Sequence, residues 1–87
     1  MTNEIVKRLR YLSHHRSMKE ADKLIGDFCD DCLDSLEGDA LMQFQALLEE
    51  NDPDIFDWIY DREALPDRHD NAVYARMKKF VKERAGI

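Results

Sequence analysis

The chain has few residues that turn a backbone sharply. Its 87 residues include two prolines and three glycines, too few for a sheet of short strands joined by tight turns. Long apolar runs are missing as well. None approaches the roughly 18–20 residues needed to cross a bilayer. With 37% charged residues and a mean hydropathy of −0.63, the chain reads as a soluble protein with no membrane insertion. The start, Met1 to Lys7, has no uninterrupted apolar stretch and matches neither a signal peptide nor an Arg/Ser-rich transit peptide. The expected compartment is therefore the cytoplasm, where thiols stay reduced. There is no Gly-rich phosphate loop and no nucleophile paired with a base. Ser13 beside His14 is a weak pairing, because sequence neighbours rarely point at each other. The chain reads as a non-enzyme. Its length supports one domain, residues 1–87, with a thin core and little room for a deep substrate pocket.

Net charge is −6, and it is unevenly placed. Residues 1–23 carry six basic against three acidic residues, residues 24–75 two against fifteen, and residues 76–87 five against one. The acidic middle argues against a nucleic-acid partner, since phosphate binding is driven by cations that displace counterions. The basic ends either pair with the middle inside the fold or contact something acidic.

What is present is helical periodicity. Five amphipathic segments follow one another, at about 3–13, 18–36, 40–50, 52–59 and 70–84. Their apolar stripes are Ile5, Leu9 and Leu12, with Val6 beside them; Ala21, Leu24, Ile25, Phe28, Cys32 and Leu36; Leu41, Phe44, Leu47 and Leu48; Ile55, Phe56 and Ile59, with Trp58 at the flank; and Val73, Met77, Phe80 and Val81. Asp52 is placed to cap the fourth helix, with Pro53 at its first position. Lys82 and Arg84 suit the negative end of the fifth. No segment sustains a period of two, and the connections are short. The fold expected is all-α, a compact bundle of five helices.

The candidate site is Arg16-Ser17-Met18-Lys19-Glu20, at the entrance to the long second helix. Ser17 and Glu20 have the spacing of a capping box, in which each side chain bonds the other residue's backbone N–H. That pattern leaves Arg16 unexplained. Beside His14 and His15 it reads as an exposed cationic ledge, whose planar fork of donors suits a carboxylate on a partner. Lying outside the helix, it is expected to contribute little to stability.

Cys29-Asp30-Asp31-Cys32 supplies only half a tetrahedral zinc shell and lies on a helix among acids, so both thiols read as core groups. His14, His15 and His69 lack the spacing that puts two metal ligands on one helix face and read as surface residues. Asp27, Asp30, Asp31 and Asp34 read as a solvated helix face, without the alternating ligands and glycine of a calcium-binding EF-hand loop. No metal site is expected.

Arg16-Ser17-Met18-Lys19-Glu20, followed by Leu47-Leu48-Glu49 and by Asp52-Pro53-Asp54-Ile55-Phe56-Asp57-Trp58-Ile59, resembles the two-part signature of the FAD assembly factor family of succinate dehydrogenase, SdhE in bacteria. That signature is R-G-x-x-E followed by a segment of the form L-L-x-x-x-D-P-D. The resemblance covers roughly residues 5–82.

It implies a small five-helix protein that binds the flavoprotein subunit of succinate dehydrogenase, or in some bacteria of fumarate reductase, and promotes covalent FAD attachment there. FAD would belong to the partner, with no cofactor bound tightly by this chain. By the same resemblance the partner-binding residues are Arg16, Ser17, Met18, Lys19 and Glu20, together with Asp52, Asp54 and Trp58. Arg16 would pair with acids of the partner or the flavin site. Glu20 would pair with a partner base or brace Arg16. Ser17 stands where the family has glycine. A serine caps a helix at least as well, but it adds a hydroxymethyl group if the glycine is there for close approach. The alternative to this reading is a generic helical adaptor whose R-S-x-x-E is only a cap. A redox or metal module on Cys29 and Cys32 is a more distant one.

Overall fold

The computed structural model describes residues 2–86. Five α-helices follow in order: α1 (Thr2–His14), α2 (Lys19–Cys32), α3 (Asp39–Leu48), α4 (Asp52–Ile59) and α5 (Ala72–Ala85). Short 3-10 turns occupy Leu33–Ser35 and Asp67–His69, and no strand occurs among the described residues. The all-α expectation holds, and so do the apolar stripes. Leu9, Ala21, Leu24, Ile25, Phe28, Phe44, Leu47, Ile55, Ile59, Val73, Met77 and Val81 are all buried in one core.

α1 and α5 both pack on α2 and α3. The core is centred on Phe28 of α2, which meets Phe44 of α3 edge-on at 5.6 Å and Phe80 of α5 at 5.5 Å. Burying one such ring stabilises the fold by about 1.5–3 kcal/mol. α4 carries Ile55, Phe56, Trp58 and Ile59 inward. Trp58, expected at the flank, is only 8% exposed.

Element ends depart from the periodic pattern where side chains capture backbone groups. The second stripe predicts helix as far as Leu36, but α2 stops at Cys32. There the Ser35 hydroxyl donates to the Cys32 carbonyl at 2.7 Å. The chain tightens into a 3-10 turn, and Leu36 leaves it in an extended conformation (φ −86°, ψ 135°) while still buried. Gly38 then enters α3 at φ 55°, a conformation that favours glycine. α5 starts at Ala72 rather than near Asp70, because Asn71 caps it by accepting from the Tyr74 N–H.

The basic ends fold onto the acidic middle. Arg10 pairs with Asp30, Arg84 with Asp27, and Lys78 and Lys82 with Asp61. The cysteines are core groups, fully buried and free. They occupy the last turn of α2. Burial pushes both thiols up, Cys32 to about 11.

Candidate functional site

Where the end of α1, the start of α2 and the α3–α4 link meet, Arg16 lies inside the protein. Its side chain is 7% exposed and that of Asp52 is 1% exposed. Nε of Arg16 donates to Asp52 Oδ1 at 2.8 Å, and Nη2 reaches the same oxygen at 2.7 Å. Nη1 donates to the carbonyls of Leu12 (3.0 Å) and Leu48 (2.7 Å), and Nη2 also donates to the carbonyl of Glu50 (3.0 Å). A guanidinium has five N–H groups; four of them make these hydrogen bonds, and Nη2 adds a close ionic contact with Asp52.

The other Asp52 oxygen, Oδ2, is equally occupied. It accepts from the Ser17 N–H (2.8 Å), the Ser17 hydroxyl (2.9 Å) and the Met18 N–H (3.1 Å). Burial pushes the Asp52 carboxyl up, but the donors from Arg16, Ser17 and Met18 outweigh it and hold the group below the usual aspartate range.

This geometry corrects three expectations. Arg16 is not an exposed ledge, and it has no free fork to offer a partner's carboxylate. Its charge is matched internally, because the α3–α4 link brings a carboxylate and two carbonyls to it. The Ser17/Glu20 capping box does not form either. Met18 is the residue that caps α2 by position, without a side-chain cap bond. The Ser17 hydroxyl turns to Asp52, and the reach-back is made by Asp22, whose carboxylate accepts the Arg16 N–H. Finally, Asp52 does not cap α4. It is the first residue of that helix, Asn51 precedes it as the cap, and the Asp52 side chain is spent on the α1–α2 link.

The predicted site residues therefore separate into two sets. Asp52, Trp58 and the Arg16 side chain are interior, and Met18 is half-buried. Ser17, Lys19, Glu20 and Asp54 are exposed around them. A shallow groove of about 340 Å³ runs beside the centre, bordered by His15, Ser17, Glu49, Glu50 and Asn51. A slightly larger hollow, about 400 Å³, lies elsewhere, against Val6, Leu33, Leu36 and Leu41.

Two residues of the region, Glu50 and His69, were not among the predicted partner-binding residues. Glu50 lends its backbone carbonyl to Arg16, while its carboxylate accepts from Arg68 (Nη2, 2.8 Å) and His69 (Nε2, 2.6 Å). The His69 and Arg68 bonds, in that order, hold Glu50 below the usual glutamate range. His69 is not a surface histidine. It is 1% exposed, with its ring against Trp58 at 5.3 Å. No local pattern marks it; only the tertiary packing of the 67–69 turn does. His14 and His15 are exposed as expected. Among the described residues, no three His, Cys, Asp or Glu gather in a metal-binding group. No described helix is long and apolar enough to cross a membrane.

Comparison with known proteins identifies a family. The family model described as flavinator of succinate dehydrogenase matches residues 7–81, which include both halves of the centre. An FAD assembly factor of Acetobacter pasteurianus is 31% identical over 80 residues, 92% of this chain and 73% of that protein. A mitochondrial succinate dehydrogenase assembly factor 2 of Dictyostelium discoideum is 36% identical over 76 residues. There the match covers 87% of this chain and 54% of the relative. An FAD assembly factor of Vibrio cholerae is 46% identical over 44 residues, 51% of each chain.

Proposed function

The chain belongs to the family of flavinators of succinate dehydrogenase, and we propose that it is an assembly factor for that enzyme. In this reading it binds the flavoprotein subunit of succinate dehydrogenase and promotes covalent attachment of FAD to it. Fumarate reductase is the second flavoprotein the reading admits. FAD belongs to the partner, and the cytoplasm is the compartment proposed for the encounter.

The observation that carries the reading is the closed Arg16–Asp52 centre. It fixes the turn before α2 through backbone and side-chain bonds, so Ser17, Lys19 and Glu20 stand on a rigid base. A preformed surface loses little freedom on docking. Attachment of a flavin needs the target side chain held in near-attack geometry. A rigid bundle docked on an immature flavoprotein raises the population of that geometry without contributing a nucleophile of its own. Glu20 supplies the charge that meets the partner, while Arg16 holds the turn that displays it. The arginine's task is thus moved from partner contact to internal bracing.

Glu20→Gln removes that charge from an exposed position and tests the reading. The factor should melt as the parent does. Covalent FAD on the flavoprotein subunit, read by in-gel flavin fluorescence, should fall sharply in cells carrying the variant. A parent protein that neither recovers the flavoprotein subunit in a pull-down nor changes its fluorescence would leave only a helical adaptor.

A further inference from the structure

We propose that His69 is a positioning residue for the Arg16–Asp52 centre, acting through Glu50. Four observations carry this. His69 is buried, yet its Nδ1 has no hydrogen-bond partner. An unpaired buried nitrogen costs free energy, and an apolar side chain against Trp58 would avoid that cost. What the imidazole supplies in return is the Nε2–H, donated at 2.6 Å to the Glu50 carboxylate. Hydrogen bonds to a charged acceptor are the stronger kind.

Glu50 is also where the α3–α4 link meets Arg16, through its carbonyl at 3.0 Å from Nη2. The two neighbouring acceptors, the Leu48 carbonyl and the Asp52 carboxylate, lie two residues to either side of it. A carboxylate clamped at Glu50 therefore sets the position of three of Arg16's acceptors together. Arg68 holds the same carboxylate but is 63% exposed, where solvent screens such a pair. His69 is the shielded donor. Its ring also touches Trp58 of α4, so one side chain fixes the link against the helix that carries Asp52.

Positioning is readable without any partner. The Arg16 Nε–H is buried on Asp52, and its hydrogen exchange reports local opening of the centre. In 15N-labelled full-length protein, His69→Leu should speed that exchange roughly tenfold relative to the α2 amides, which report the remaining fold. His69→Gln, which restores an N–H donor, should bring it back. Glu50→Ala keeps every backbone acceptor of Arg16 and should speed the exchange as His69→Leu does. Should His69→Leu fail to fold, Glu50→Ala decides on the same criterion, since its side chain is at the edge of the core. Arg16 exchange that keeps pace with the α2 amides in the folded variants would overturn the proposal.

The consequence for flavinylation rests on the proposed function. At a temperature where all variants are folded, His69→Leu should raise the factor concentration needed for half-maximal flavinylation, with His69→Gln close to the parent. If the parent shows no flavinylation effect, the functional reading fails while the exchange result still decides the positioning.

Discussion

Arg16 Nε and Asp52 Oδ1, 36 positions apart in the chain, meet at 2.8 Å with both side chains shielded from water. Removing one member of such a pair leaves the other charged, buried and uncompensated. Arg16→Ala is therefore expected to destabilise by about 3–5 kcal/mol. At about 4–8 °C per kcal/mol for a domain of this size, thermal melting will show it plainly. Asp52→Ala should cost a similar amount, and the double variant less than the two together. An Arg16→Ala protein that melts with the parent would mean that the pair is not closed in solution.

Acid should loosen the same centre. Asp52 is held below its ordinary value of 3.8 in the folded protein. A group lowered in this way stabilises the fold fully above its unfolded value. The contribution is lost as pH falls from there through the folded value. Glu50, held below 4.5, acts in the same direction. Melting temperature should fall on acidification below about pH 4.5, and Asp52→Asn should make that fall shallower. A decline that begins instead on the alkaline side would contradict the assignment.

Ser17→Gly removes the hydroxyl that donates to Asp52 but keeps the backbone N–H that donates to the same oxygen. The expected loss is about 0.5–1.5 kcal/mol, one hydrogen bond's worth. Since Ser17 caps no helix here, α2 helicity by circular dichroism should stay unchanged. A drop in helicity would restore the capping role.

For the cysteines, burial and raised thiol values predict silence. At pH 8, alkylation should be negligible in the folded protein and complete after denaturation, because the thiolate is the reactive form. Replacing both by alanine should cost about 1–3 kcal/mol through lost packing. Flavinylation support should survive wherever the variant stays folded. Rapid native labelling would overturn the core assignment.

The helices were legible because each carries its own apolar stripe, and a stripe such as Leu24, Ile25 and Phe28 needs no knowledge of its neighbours. The motif was legible as a place but not as a geometry. Arg16 sits in a polar stretch beside two histidines, and local sequence cannot distinguish a solvated arginine from one that meets an aspartate on another helix. Asp52 looked like a cap because its position allows one, and Asn51 took that position instead. Ser35 ends α2 by bonding Cys32, a competition between hydroxyl and helix that periodicity does not register. His69, in the polar run Pro66 to Asp70, is buried only because the turn folds it onto Trp58.

The acceptors of Arg16 impose an order of events on a chain made from its N-terminus. α1 and α2 emerge from synthesis before Leu48, Glu50 and Asp52 exist. Until those residues arrive, two of the carbonyls and the carboxylate that define the turn at Arg16 are absent, and the guanidinium stays in water. A nascent chain stopped short of Asp52 holds the letters of the motif without its shape. The motif's geometry is thus a product of tertiary closure, and a truncated or partly folded copy does not present it.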